Sequence, residues 1–206
     1  MTAMAAEPMS EPKNRPTDLD PVELLAAYEA AAPAPLRHEY YEGALLVTPY
    51  PDRPHNRAIR LLVGQFEAAG FDHVGFGEGF RFPPREKLKA SLAVPDFNVL
   101  HREPTDLDEQ FRRANGGWYS SELLALVGEV TSTNHEFDTG PKFRTYAASG
   151  VPVYVVIHRQ EGKAYAYREP VPGEARYEAV EEVKLGDMLP LPAPYPSLDT
   201  SVALSS

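Results

Sequence analysis

Cysteine is absent from this chain of 206 residues. Its absence removes disulfides, thiolate metal ligands and cysteine nucleophiles from the available chemistry. The sequence also lacks any apolar run of the roughly 20 residues that a membrane span requires, so we expect no membrane segment. The first residues carry acids and prolines where a signal peptide has positive charge and an apolar core. Cytoplasm is therefore the expected location.

Positive charge is scarce. The chain has 20 Lys and Arg residues against 30 Asp and Glu, which gives a net charge of −10 and a pI near 5.1. Because phosphate backbones attract cationic surfaces, this balance disfavours tight, non-specific binding of nucleic acid. It leaves open a carboxylate-lined site whose metal ions reverse the local sign.

The length and composition favour one globular domain with flexible ends. Hydrophobic residues make up 43% of the chain, which is enough for one substantial core. Residues 1–17 are rich in Pro, Ala, Glu and Ser and are predicted to be a disordered lead-in. Residues 18–190 are predicted to form a single domain. Prolines at 190, 192, 194 and 196 predict an extended or disordered tail over residues 191–206.

Apolar periodicity predicts a mixture of helices and strands. Helices are expected from the start signal at Asp20-Pro21 to about Ala31, from Pro54 to Ala69 and from Thr139 to Ser149. Strands are expected in a hairpin turning at Glu42-Gly43 and at 74–82, 92–100, 123–130, 153–158, 164–168 and 177–183. The polar stretch 102–121 is expected to be an exposed, mobile loop. This order predicts an α+β or mixed α/β fold, with helices flanking a mixed β-sheet.

Two carboxylates stand in apolar strand-like runs. Asp96 follows Pro95 within Leu92–Leu100, and Glu129 ends the run that begins at Leu123. An acid in such a run costs several kcal/mol to bury unless something pairs with it. Two such acids suit a hard divalent cation such as Mg²⁺ or Mn²⁺, which binds one or two carboxylates plus waters and phosphate oxygens. The alternative is that each acid caps a helix or pairs with an arginine.

Asp138 and Lys142 are four residues apart and share one helix face with Tyr146. A lysine beside metal-bound carboxylates can orient an attacking water and offset charge that builds on phosphorus. A solvated Asp–Lys pair worth a few tenths of a kcal/mol explains the same spacing. The histidines show no spacing typical of a zinc site.

Taken together, these positions resemble the Uma-two family of restriction-endonuclease-like proteins, which belongs to the PD-(D/E)XK nuclease superfamily. The resemblance covers about residues 18–190. The matching positions, in order along the chain, are Glu39-Tyr40-Tyr41-Glu42-Gly43, His55, Pro95-Asp96, Glu129-Val130-Thr131-Ser132, Asp138, Lys142, Tyr146 and Gly150-Val151.

The resemblance implies a restriction-endonuclease-like core that hydrolyses DNA phosphodiesters with a metal-activated water. It implies metal ligands at Asp96 and Glu129, a catalytic lysine at Lys142 and a further acid at Glu42. The superfamily motif has a lysine two places after the second acid, and Thr131 stands there; the Uma-type lysine lies on the following helix. Glu42 can instead shape its turn, and for His55 we favour a structural hydrogen bond.

Three functions remain open on this sequence: a DNA endonuclease, a catalytically silent binding or assembly module of the same fold, and a metal-dependent hydrolase of another phosphate ester. Among the aromatics, Tyr165 and Tyr167 alternate as core residues of a strand do, and Trp118 and Tyr119 could touch a substrate or tether a loop. An apolar segment at Val153–Ile157, expected near a sheet edge, suggests a homodimer.

Overall fold

A computed structural model describes residues 20–31, 37–48, 51–85, 88–131 and 135–204. The predicted lead-in at 1–17 therefore lies outside the described residues, as does Ser132. The helices are α1 Pro21–Ala31, α2 Arg53–Ala68, α3 Asp106–Ala114, α4 His135–Phe137 and α5 Phe143–Ala148. A π-helical turn, Asp138–Lys142, joins α4 to α5. No helix within the described ranges is long and apolar enough to cross a membrane.

The fold is mixed α/β, as predicted, but its strands form two larger sheets and one small pair where the sequence predicted a single mixed sheet. The strands are β1 Arg37–Tyr41, β2 Ala44–Thr48, β3 Val74–Gly75, β4 Phe80–Phe82, β5 Ser91–Ala93, β6 Phe97–Leu100, β7 Tyr119–Ser120, β8 Leu124–Val130, β9 Val153–His158, β10 Lys163–Val171, β11 Arg176–Lys184, β12 Met188–Leu189 and β13 Leu198–Asp199. The large sheet has the order β11-β10-β9-β8-β6-β3, and the second sheet has the order β2-β1-β5-β4-β7. Strands β8 and β9 are parallel, whereas β6 and β8 are antiparallel.

The large sheet is covered on both faces, which explains its continuous apolar strands. Helix α2 packs on one face through residues at helical spacing, among them Ile59, Leu62 and Phe66. The second sheet and α5 cover the other face, where Tyr146 and Tyr154 meet in the core. Every residue of β8 is buried, including Glu129.

Two predicted strands each divide between the sheets. The stretch 74–82 forms β3 in the large sheet and β4 in the second sheet, and Leu92–Leu100 divides in the same way into β5 and β6. The second division falls at Pro95-Asp96, where proline offers no amide to a strand partner. The chain therefore crosses from one sheet to the other just before Asp96.

The prediction of a mobile loop over 102–121 is wrong, because this stretch contains α3 and β7. A capping box starts α3: the Thr105 hydroxyl accepts from the Asp108 amide, and the Asp108 carboxylate accepts from the Thr105 amide at 2.7 Å. The Arg102 guanidinium forms an ion pair with the Asp108 carboxylate, with Nη1 2.6 Å from Oδ2, and this pair stabilises the same turn.

The tail over residues 191–206, predicted to be extended or disordered, contributes to the core within its described residues up to 204. Leu189, Leu198 and Ala203 are buried against the face of α2. The Gln65 side chain donates to the Asp199 carbonyl at 3.1 Å and accepts from its amide at 2.6 Å. The prolines end regular strands here, but the apolar residues between them still complete the core.

The apolar segment Val153–Ile157 does not lie at a sheet edge. It belongs to β9, which pairs with β8 on one side and β10 on the other, and its residues are buried. The fold therefore offers no sheet edge at Val153–Ile157 through which two copies could pair, and the predicted homodimer loses this support.

Candidate active site

Strand pairing brings Asp96 and Glu129 together. Phe97 of β6 lies opposite Gly128 of β8 in an antiparallel pair, so the residue before Phe97 adjoins the residue after Gly128. The backbone amide of Val130 donates to Asp96 Oδ2 at 2.8 Å and fixes this arrangement. Two acids that are 33 positions apart thus meet at one end of adjacent strands.

Lys142 lies at the centre of a carboxylate cluster. Its Nζ donates to Glu129 Oε2 at 2.8 Å and lies 3.4 Å from Asp138 Oδ1 and 3.8 Å from Glu39 Oε2. The π-helical turn, which contains Pro141, presents Asp138 and Lys142 on one side. Such turns often occur at functional sites because they widen the helix locally.

Glu39 is a buried member of this cluster that the sequence prediction did not assign. It lies in β1, where its Oε1 accepts from the Val94 amide at 2.7 Å and from the Tyr41 hydroxyl at 3.1 Å. The signal was present in the sequence, since Glu39 opens the Glu39–Gly43 match to the family. Only the pairing of β1 with β5 shows that this acid, and not Glu42, faces Lys142.

Two buried tyrosine hydroxyls donate hydrogen bonds to residues of the cluster. Tyr146 donates to Glu129 Oε1 at 2.7 Å, and Tyr154 donates to the Asp138 carbonyl at 2.8 Å. Burial raises the pKa of both phenols well above the ordinary value. They therefore remain protonated donors at neutral pH.

His55 reaches the site from the first turn of α2. Asp52 caps this helix by accepting from the His55 amide at 2.7 Å, which orients the residue inward. Its Nε2 lies 3.3 Å from Asp96 Oδ1, and its Nδ1 is buried without a hydrogen-bond partner among the described residues. The His55 ring thus contacts the Asp96 carboxylate directly.

Glu42 and Thr131 lie apart from this cluster. Glu42 occupies the hairpin turn with φ 52°, and Arg144 donates to both of its carboxylate oxygens, at 2.6 and 2.9 Å. This hydrogen-bonded pair holds the pKa of Glu42 below its ordinary value. Thr131 is buried, and its Oγ1 accepts from the Arg159 amide at 3.2 Å. The structure therefore gives both residues partners outside the site.

The two central acids have opposite pKa shifts. Burial raises the pKa of Glu129 well above its ordinary value, and Asp96 and Asp138 add to this. Burial also acts on Asp96, but His55, Lys142 and the Val130 amide together outweigh it and lower the pKa of that carboxyl. The acids around Lys142 outweigh its burial and raise its pKa, so the lysine stays charged.

The donor set suits a hard cation, although the described residues form no preformed metal-binding group. Glu39, Glu129 and Asp138 surround Lys142, and Asp96 lies near enough for the charge of the lysine to act on its carboxyl. Full ionisation of the four acids therefore leaves a formal charge of −3 that a divalent ion would reduce. Within the described ranges no three His, Asp or Glu side chains are arranged to hold a metal. Magnesium sites commonly use only one or two carboxylates plus water and phosphate oxygens, which fits Asp96 and Glu129.

A family model described as "Putative restriction endonuclease" matches residues 22–203 of the chain. The chain belongs to the Uma2 (Uma-two) family. The match extends through the C-terminal segment that packs on α2. No curated protein matches the chain.

The Uma2 chain also has a solved structural relative. The crystal structure described as "a putative nuclease belonging to DUF820", from Anabaena variabilis ATCC 29413, superposes with a TM-score of 0.56 at 15% identity. The match covers 87% of this chain and 96% of that one. At this identity the likeness shows the shared fold, and it confirms the predicted nuclease-like fold class.

Proposed function

We propose that this Uma2 protein is an Mg²⁺- or Mn²⁺-dependent endonuclease that hydrolyses DNA phosphodiesters. The observation that carries the proposal is the meeting of Asp96 and Glu129 at adjacent strand ends, with Lys142 Nζ 2.8 Å from Glu129. Asp96 and Glu129 are the proposed metal ligands, and Glu39 replaces Glu42 as the further acid of the site. A metal bound there would lower the pKa of its water and offset charge on the phosphate.

The remaining residues have positioning roles. Glu39 and Asp138 flank the Lys142 ammonium and hold it beside Glu129. Lys142 is thereby placed to donate to a phosphate oxygen as negative charge develops on it. His55 orients Asp96, and Tyr146 orients Glu129.

Helix α2 supplies a local positive surface on this acidic protein. Arg53, Arg57 and Arg60 follow one another at helical spacing, are exposed, and form no ion pair with any described residue. Arginines of this kind contact phosphates without reading sequence. The same helix carries His55 at its start, so phosphate contacts along α2 would bring the DNA backbone towards Asp96.

Cleavage of supercoiled plasmid and of single- and double-stranded oligonucleotides, with Mg²⁺, Mn²⁺ or a chelator, tests the proposal. We expect metal-dependent nicking that Asp96→Asn and Glu129→Gln abolish. Glu182→Gln is the matched control, because this glutamate pairs with Lys163 at the surface. Intact DNA with either metal, or equal cleavage by Asp96→Asn, would contradict the proposal.

One observation favours the catalytically silent module instead. All four carboxylate oxygens of Asp96 and Glu129 already face donors of the chain: His55, the Val130 amide, Lys142 and Tyr146. Calorimetric titration with Mn²⁺ separates the two functions. Saturable binding that Asp96→Asn removes supports the enzyme, whereas absence of binding at millimolar Mn²⁺ supports the module. Hydrolysis of a small phosphate ester, with DNA left intact, would identify the third alternative.

A further inference from the structure

A cavity of about 430 Å³ opens beside the candidate active site. Its lining side chains are Glu136, Thr139, His158, Glu161, Tyr165 and Tyr167. The two tyrosines were expected in the core, but both are partly exposed. The volume lies in the range of about 300–1,000 Å³ that is usual for small-ligand pockets.

Strand register fixes the distance between this cavity and Glu129. Val156 of β9 pairs with Glu129 of β8 on one side and with Tyr165 of β10 on the other. The three residues therefore form one row across the sheet and point to the same face. Because neighbouring strands lie about 4.8 Å apart, the Cα of Tyr165 is roughly 10 Å from that of Glu129.

Two further lining residues of the cavity come from the segment that carries Asp138 and Lys142. Glu136 and Thr139 lie on either side of Asp138, which contacts Lys142 at 3.4 Å. This segment thus directs Asp138 towards Lys142, and it directs Glu136 and Thr139 towards the cavity. A ligand in the cavity would lie next to a phosphate held at Asp96 and Glu129.

Stacked aromatic rings form one side of the cavity. The rings of Tyr165 and Tyr167 are 5.9 Å apart at an interplanar angle of 13°. Tyr167 stacks in turn on the buried Tyr154 at 6.0 Å, and Tyr154 donates to the Asp138 carbonyl. The platform is therefore anchored to the core, and its exposed end is suited to stacking a flat ring.

The polar groups of the cavity select against phosphate. Glu136 and Glu161 are hydrogen-bond acceptors when ionised. Glu161 Oε2 already accepts from the Tyr165 hydroxyl at 3.0 Å, and its Oε1 lies 3.5 Å from His158 Nε2, so an amine would use the remaining lone pairs of these oxygens. Carboxylates repel phosphate but accept from exocyclic amines such as N4 of cytosine. These side chains do not form a metal-binding group, since none occurs among the described residues.

We propose that this cavity binds a nucleobase bearing an exocyclic amino group, next to the phosphodiester that is cleaved. Tyr165 stacks on the base, and Glu161 with Glu136 accepts from its amine. The inference rests on the proposed function, because it places the base of a bound DNA substrate. If a base binds there, Tyr165 and Glu161 determine which base the protein prefers beside the phosphodiester that it cleaves.

Fluorescence of 2-aminopurine tests the inference without catalysis. Oligonucleotides carrying the probe at successive positions are bound to the full protein in the presence of a chelator. We expect quenching at one position, about tenfold weaker binding for Tyr165→Leu, and quenching retained by Tyr165→Phe, which keeps the stacking ring and loses only the hydroxyl that donates to Glu161. Tyr28→Leu, which removes an exposed tyrosine of α1, is the matched control.

Several outcomes would overturn the inference. They are quenching at no position, quenching that Tyr165→Leu leaves unchanged, and failure of the oligonucleotides to bind. A comparison of plasmid cleavage by the wild type and by Asp96→Asn tests the nuclease function separately from the base site. If cleavage persists while Tyr165→Leu and Glu161→Gln leave binding and base preference unchanged, the endonuclease proposal stands and the base site does not.

Discussion

Asp96 accepts a hydrogen bond from the backbone amide of Val130, the residue that follows Glu129, at 2.8 Å. A backbone group thus holds the first acid beside the second, independently of any bound ion. The two carboxyls nevertheless differ: burial raises the pKa of Glu129, whereas the partners of Asp96, with His55 the largest among them, overcome its burial and lower its pKa. Neighbouring acids whose pKa values diverge are typical of catalytic sites.

Replacements at Asp96 should separate activity from stability. Asp96→Asn keeps an oxygen that can accept from Val130, so we expect its free energy of unfolding to change by about 1 kcal/mol or less. Asp96→Ala leaves that buried amide without a partner and should cost about 1–3 kcal/mol. Both variants should lose cleavage. Urea denaturation beside the plasmid assay checks this, and an active Asp96→Asn would contradict the assigned role.

Removal of the buried lysine should destabilise the protein. Lys142→Met leaves three buried acids without their cation, and we expect a loss of about 3–5 kcal/mol. Combining it with Glu129→Gln should restore part of the stability but none of the activity. Lys163→Met is the surface control, with little change expected. Additive losses in the double variant would show that Lys142 and Glu129 do not interact.

Asp138 should make stability depend on pH. Burial raises its folded pKa above its ordinary value, so the folded protein retains a proton that the unfolded chain releases. Its contribution to stability therefore falls as the pH rises above about 4, the ordinary pKa of aspartate. We expect Asp138→Asn to gain melting temperature relative to wild type at pH 7 more than at pH 4. Calorimetry at both pH values checks this, and a constant difference would refute it.

Gly128 is required because Phe97 lies over it. A Cβ at Gly128 would lie 1.9 Å from the Phe97 ring, in the strand pair that places Asp96 and Glu129. Gly128→Ala should therefore cost at least about 1–3 kcal/mol and reduce activity. Phe97→Leu in the same chain should recover part of both. Urea denaturation of the wild type, Gly128→Ala and the double variant measures the rescue. Absence of rescue would show that the clash with Phe97 does not cause the loss of stability.

The arginines of α2 should govern the salt dependence of DNA binding. Each phosphate contact contributes about 0.9 to the slope of log affinity against log salt concentration. Replacing Arg53, Arg57 and Arg60 with Gln should therefore reduce the slope by about 2–3. Lys184→Gln, at an exposed position on β11, is the control. An unchanged slope would place the DNA on another surface.

Local features of the fold were predictable because local sequence determines them. The hairpin turn at Glu42-Gly43 places both residues at positive φ, 52° and 92°, as a tight hairpin turn requires. The apolar stripe of α2 and the apolar run of β8 likewise confirm the expected helix and strand. Helix α3 was missed although its Thr105 and Asp108 capping residues were visible, because its face carries few apolar residues.

The sequence alone indicated acids at Asp96 and Glu129, because burying a carboxylate in an apolar strand is costly, and the family pattern added Lys142. It could not show that the chain changes sheets at Pro95-Asp96 or that Glu39, and not Glu42, faces the lysine. Those relationships depend on strand pairing between distant segments, since register decides which side chains share a face. Tertiary structure likewise decided that Tyr165 lies in the same row as Glu129, two strands away.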